Sequence, residues 1–421
     1  MKYDIWRDAE EKLHALYGEE IHLPVTARYQ REKKRMQNTD MEMLLTFLRH
    51  LACRFRELKA TFTLRGRTGA SFACWLLEIT DVNPLPPHYY CPHCRRIEFS
   101  NEEKYGWDLP EKTCSCGTGM LRDGMNTVFL PEIDLPDSVH MDLDIPGELQ
   151  DDVQKELLAF FPDQRFYRRE TVKNDMVRYS FLPKVDGPEA NQQERIIGKP
   201  TGNVQMFIDI YPHFFFLNAP KNALLWDLCR KTEVKPDQIP CLSPELLRAY
   251  FEYKLPGNLY DSVFKNAALI KAIKPEQFSE LLPLLGLGHA NMEGQEQIKA
   301  QIQSDHQVLY DYDFFFEDIY DRVLSFLRAK GVFNDDLAVQ AANLAKSGRF
   351  LRRGFSEGIQ IELIKHGVPE SYIAYLKKIR YVYPRAHMLT NILRDLRLAW
   401  FFINHSSLWD EMSGKYFIKE C

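Results

Sequence analysis

The chain has 421 residues, 45% hydrophobic and 27% charged, with a formal net charge of −5. That length and apolar content can bury more than one core, so two or three domains are expected. The charge balance excludes a generally basic nucleic-acid coat protein, and no uninterrupted apolar run is long enough to span a bilayer.

The first ten residues are charged throughout and lack the apolar stretch of a signal peptide, so a cytoplasmic address and no membrane partner are expected. From the N-terminus, apolar residues recur at helical spacing over 8–17 and 41–58, where Leu44, Leu45, Leu48, Leu51 and Phe55 mark one face. Arg49, His50, Arg54, Arg56, Lys59, Arg65 and Arg67 make this part basic. A short turn over 65–69 then opens onto a helix carrying Phe72, Trp75, Leu76 and Ile79. Two arginines, the permissive glycines Gly66 and Gly69, and free amides at a helix start suit a phosphate group; the same pattern also describes an ordinary loop.

Four cysteines follow in two close pairs, Cys91 with Cys94 and Cys114 with Cys116. Paired thiolates on tight turns hold a tetrahedral Zn²⁺, whose charge they offset and whose binding closes a loop too small to bury a core. One intervening residue narrows the second pair, so His88 or His93 stands as a substitute ligand. The other five cysteines, Cys53, Cys74, Cys229, Cys241 and Cys421, are scattered, as reduced thiols are.

Beyond the cysteines, 128–144 alternates apolar and acidic residues as strands do. Asp142 and Asp144 fall on one strand face, and paired carboxylates so placed make a divalent-cation site. Glu132 and Asp134 have the same spacing, and spacing does not choose between the pairs; solvent-facing acids on an edge strand account for either. A helix is expected over 151–161, a polar linker over 183–200, and a buried strand over 204–217 carrying Asp209, either a third metal ligand or a strand-end residue. After about residue 240 helical patterning dominates to 405. The acidic aromatic run 311–318 reads as an amphipathic core helix.

Several strings resemble the bacterial DNA polymerase III alpha subunit, PolC type: EITDVNPLPPHYYCPHC at 78–94, WDLPEKTC at 107–114, RDG at 122–124, FSELL at 278–282, GLGH at 286–289, KHGVPESY at 365–372, KKIRYVYPRAH at 377–387 and RLAWFF at 397–402. The resemblance covers about 8–405. It implies an α+β fold: a nucleotidyltransferase-like palm with a mixed sheet, an inserted zinc knuckle and mainly helical fingers. The expected domains are 1–86 (palm, first part), 87–124 (zinc knuckle), 125–240 (palm, second part, thumb reduced or absent) and 241–421 (fingers).

The implied activity is template-directed deoxynucleotidyl transfer by two Mg²⁺ ions, with one structural Zn²⁺ at the four cysteines. Carried onto matching positions, Asp142 and Asp144 become the metal-binding pair, preferred because Gly147 and Glu148 follow, although 131–135 with Glu132 and Asp134 imitates the motif; Asp209 has no clear match and is the candidate for the third carboxylate. Arg65, Gly66, Gly69 and Ser71 fall on the phosphate turn, and Lys377, Lys378, Arg385 and His387 on the nucleotide or template surface. Primer-template DNA, dNTP and other replication proteins are the implied partners. Two departures stand out: the turn reads LRGRT where the family has a Ser-Arg-Gly-Ser style, and the interval from Asp144 to Asp209 is short for a thumb. The chain also stops before any duplex- or clamp-binding region, and no exonuclease, phosphoesterase or nucleic-acid-binding barrel precedes the palm. Processive replication by this chain alone is therefore not expected, and a catalytically degenerate relative serving as a DNA-binding or protein-interaction module is the alternative.

Overall fold

A computed structural model describes residues 4–129, 139–171, 176–182, 196–197, 211–252, 254–259, 267–333, 335–349 and 357–417. Asp209, Glu132 and Asp134 lie outside these residues. The chain forms two compact units, Met1–Leu246 with Thr390–Cys421, and Leu247–Leu389.

The first unit is a mixed sheet backed by helices. Its N-terminal part contains α1 (Ile5–Tyr17), α2 (Leu23–Met36), α3 (Asp40–Glu57), β1 (Thr63–Leu64) and the short α4 (Phe72–Leu76). A small three-stranded sheet follows, with β2 (His88–Tyr90) between β3 (Ile97–Phe99) and β4 (Leu121–Asp123). Next come β5 (His140–Ile145), α5 (Gln150–Phe160), β6 (Phe166–Thr171), β7 (Met176–Phe181), β8 (Ile196–Ile197), β9 (His213–Asn218) and α6 (Pro220–Thr232).

The large sheet has strand order β1-β5-β9-β7-β6-β8. β5 runs parallel to β9, while β1, β7 and β6 pair antiparallel with their neighbours β5, β9 and β7. Side chains alternate across a strand, so one face receives Met141, Leu143 and Ile145 from β5, Phe214 and Phe216 from β9, and Val177, Tyr179 and Phe181 from β7. All are buried in one cluster with α1, α3 and α5 residues. Phe47 of α3 meets Phe214 at 5.2 Å between ring centres. Each fully buried ring of this kind contributes roughly 1.5–3 kcal/mol. The opposite face is thereby left to the alternate residues of the same strands, charged on β5 and partly apolar on β9.

Expected helices over 8–17, 41–58 and 151–161 correspond to α1, α3 and α5 within three residues at either end. The described strand in the expected 204–217 run begins only at His213. The second unit is mainly helical, with a two-stranded ladder between Asn291–Met292 and Ile379–Tyr381. In the 311–318 run the helix starts at Phe316, later than the periodicity suggests. Asp313 precedes it in a buried polar knot: the Tyr372 hydroxyl donates to its carboxylate and the Tyr375 hydroxyl to its carbonyl at 2.6 Å. No helix among the described residues is long and apolar enough to cross a membrane.

Candidate functional site

The cysteine pairs are presented by two tight turns. After β2, the Arg95 amide donates to the Cys91 carbonyl at 2.9 Å, with Arg95 itself at φ +62°. In the second turn the Gly117 amide donates to the Cys114 carbonyl at 2.8 Å, and Gly117 takes φ +85°, a conformation glycine reaches at least cost. These turns bring Cys91 Sγ to 3.5 Å from Cys116 Sγ, and Cys94 Sγ to 3.5 Å from Cys114 Sγ. All four sulfurs lie within 4.8 Å of one another. A tetrahedral Zn²⁺ with Zn–S bonds of about 2.3 Å needs sulfur separations of about 3.8 Å, so the donor set is compatible with zinc.

Hydrogen bonding with Thr118 holds the Cys116 thiol down at about 5, whereas Cys94, despite the Arg96 backbone, is pushed up to about 11 by its hydrogen bonds to Cys91 and Cys114. Cys91 and Cys114 also bury themselves with Tyr89, Leu109 and Met120, a core of only five residues. His88 is no substitute ligand: it is buried beside Asp123, with Nδ1 2.8 Å from the Pro86 carbonyl, and burial lowers its pKa. Nor does His93 join the group of four.

The turn after β1 splits in two directions. Arg65 points to the large sheet, its amide donating to the Asp142 carbonyl at 2.8 Å and Nη1 lying 3.1 Å from Asp144 Oδ1. Gly66 supplies the reversal at φ +78°, and Gly69 is buried. Ser71 instead caps α4, accepting from the Cys74 amide at 3.1 Å and donating to Glu32 Oε2 at 2.7 Å. Glu32, on α2, is completely buried, also accepts from the Ala73 amide at 3.0 Å, and pairs with Arg28. Arg28 ties the arrangement together by donating to the carbonyls of Ala70 at 2.6 Å and Thr127 at 3.0 Å. An internal carboxylate therefore already occupies the anion position at the start of α4. Sequence reading missed Glu32, because nothing local distinguishes it from other glutamates on a charged helix.

Asp142 and Asp144 share the open face of β5, as their spacing predicts. Their environments differ. The Asp142 side chain is about one-third exposed, with Oδ1 4.0 Å from His140 Nε2. Across the parallel ladder it faces Phe215, and Asp144 faces Leu217. His140 likewise faces His213, the two rings stacking at 5.2 Å. Arg178 of β7 reaches His213 Nδ1 at 3.2 Å and lies over the Phe215 ring at 5.2 Å.

Asp144 is only 7% exposed and sits between two arginines. Arg65 Nη1 approaches Oδ1 at 3.1 Å and Arg394 Nη1 approaches Oδ2 at 3.4 Å. Arg394 also meets Asp395 Oδ1 at 3.3 Å, and Lys221 of α6 meets the same oxygen at 3.0 Å. Asn222, completely buried, donates to Thr63 Oγ1 at 3.2 Å and to the Asp144 carbonyl at 3.3 Å. Three cations thus enclose two carboxylates. The four-cysteine cluster is the only set of three or more potential metal ligands that converges among the described residues.

The remaining expected site residues belong to the second unit. Lys378 is exposed, and Lys377 Nζ donates to Gln360 at 2.8 Å. Arg385 is buried, pairs with Asp318, and its amide donates to Glu317 at 2.7 Å. His387 is buried and stacks on Tyr383 at 5.7 Å.

The chain is related in sequence to DNA polymerase III. It is 25% identical over 475 aligned positions to "DNA polymerase III PolC-type" of Bacillus subtilis strain 168, covering 95% of this chain and 32% of that protein. Identity is 23% to the protein of that name from Halalkalibacterium halodurans, covering 94% of this chain and 32% of the relative. It is also 23% to that of Staphylococcus aureus strain MW2, covering 93% and 31%. The chain spans about a third of the length of these relatives. No family model matches it.

Proposed function

We propose that this chain is a PolC-like DNA-binding module whose palm-like sheet does not carry two-metal deoxynucleotidyl transfer. The observation behind this reading is the register of β5 and β9, which sets Phe215 and Leu217 opposite Asp142 and Asp144. Two-metal transfer needs several acidic oxygens around one point, so that one ion activates the attacking hydroxyl and the other stabilises the leaving oxygen. Here the neighbouring strand offers a ring and an aliphatic chain, and arginines hold both oxygens of Asp144.

In this reading the palm and fingers keep their architectural roles. The four cysteines hold a structural Zn²⁺, and a cytoplasmic setting with replication proteins as partners goes with the PolC relationship. DNA phosphates would be met by exposed cations of the helical unit such as Lys378 and Arg380, beside the exposed ring of Tyr381. Phosphate contacts of this kind are indifferent to sequence and weaken as salt rises.

The rival reading is Mg²⁺-dependent transfer through Asp142, Asp144 and Asp209, favoured by the shared strand face of the first two and by the PolC relationship. Fluorescence anisotropy with a labelled primer-template tests binding, and primer extension with Mg²⁺ or Mn²⁺ tests transfer. Salt-sensitive binding without extension supports the proposal. Extension lost in Asp142→Ala and Asp144→Ala overturns it, as does the absence of DNA binding at low salt.

A further inference from the structure

We infer that Arg65 and Arg394 take the place of a divalent cation at Asp144, and that this arginine clamp excludes metal from the β5 acid pair. The inference deepens the reading of the sheet as free of metal chemistry, and rests on it. A carboxylate binds a hard divalent cation through oxygen lone pairs, and the cation must displace whatever charge already lies against those oxygens. Each Asp144 oxygen has an arginine nitrogen against it, at 3.1 Å and 3.4 Å.

Neither arginine can be neutralised in place, since a guanidinium keeps its proton at any working pH. Arg394 is further fixed by Asp395, which Lys221 holds from its other side. Arg65 is fixed through its own backbone, whose amide donates to the Asp142 carbonyl. A metal ion approaching Asp144 therefore meets two positive charges at close range, and burial of Asp144 and Arg394 leaves little water on that side to screen them.

The acid pair is thus latent. Opening the clamp should create metal affinity at Asp144 where the native sheet has none. The test is Mn²⁺ binding to the zinc-loaded full chain, read by the electron paramagnetic resonance of free Mn²⁺. Native protein, Arg65→Met, Arg394→Met and the double variant are compared, each with and without Asp144→Asn. Folding is checked by circular dichroism and thermal melting.

The expected result is no Asp144-dependent binding in the native chain. Affinity should rise at least about tenfold in the arginine variants, the scale of effect that one opposite charge exerts on a nearby carboxylate, and disappear with Asp144→Asn. Should Arg394→Met fail to fold, Arg65→Met alone decides, because its side chain is 31% exposed. Native Mn²⁺ binding abolished by Asp144→Asn overturns the clamp, and so does a folded Arg65→Met variant that gains no affinity. Primer extension is not the readout, so a failed clamp and a failed functional reading remain distinguishable.

Discussion

Phe215 lies directly opposite Asp142 in the parallel ladder between β9 and β5. Its ring packs against His213 at 4.8 Å and under Arg178, so the strand beside the acid pair is occupied by an aromatic–cation assembly. The two acids consequently do different work, and stability measurements should separate them.

Asp144→Ala leaves Arg65 and Arg394 facing each other without their shared carboxylate. Loss of one partner of a buried ion pair costs about 3–5 kcal/mol. Asp142→Ala removes a partly exposed group and should cost less than about 1 kcal/mol. Urea denaturation of the two variants checks this. Equal costs would mean that the arginines do not depend on Asp144.

Glu32 should prove as important to the fold as any core residue. It is completely buried and joins Arg28, Ser71 and the start of α4. Glu32→Ala takes the carboxylate from Arg28, which keeps its two carbonyl acceptors, and leaves the Ser71 hydroxyl and Ala73 amide without it, with an expected loss of about 3 kcal/mol. Glu32→Gln, which keeps the shape but not the charge, should lose less. Thermal melts that leave both variants at the native midpoint would contradict this account of the turn.

The four cysteines should hold one Zn²⁺ per chain, measured by elemental analysis of protein purified without chelator. Cys91→Ser or Cys114→Ser should remove it and open 87–124 to proteolysis while the large sheet survives. Thiols must lose their protons to bind metal, so zinc should also leave as pH falls. A full zinc complement in Cys91→Ser would show that the ligands lie elsewhere.

Glu78 gives the fold a defined acid dependence. Burial raises its pKa, but Lys12 at 2.8 Å, Arg49 at 2.9 Å and Arg56 at 2.8 Å outweigh burial and bring it to about 2. An ordinary glutamate in the unfolded chain titrates near ~4.3. Because the folded value is the lower one, the ionised form favours the folded state. Its contribution is complete above the unfolded value and is lost as pH falls from about 4.3 towards 2. The stability gap between native protein and Glu78→Gln should therefore be widest near neutrality and close across that window; a pH-independent gap would assign Glu78 no electrostatic role.

What the sequence made legible follows the range of the interactions. The cysteine cluster is local, its ligands set by two short turns, and spacing alone located it. The shared face of Asp142 and Asp144 needs only the period of a strand. The opposition of Phe215 to Asp142 depends on pairing between segments more than seventy residues apart, which periodicity cannot register. Glu32 and Ser71 meet across 39 positions for the same reason. Arg385 is expected on a nucleotide or template surface, yet its guanidinium is buried against Asp318 and its amide is held by Glu317, because a buried cation is tolerated once paired. Sequence patterns identified the groups able to do chemistry; tertiary partners decide which of them are already engaged.

Primer extension by the zinc-loaded chain, on a recessed primer-template with all four dNTPs and either Mg²⁺ or Mn²⁺, tests the central claim most directly. The arrangement of Phe215, Leu217 and the arginine-held Asp144 predicts no product above a protein-free control. Product formation that disappears in both Asp142→Ala and Asp144→Ala would contradict it.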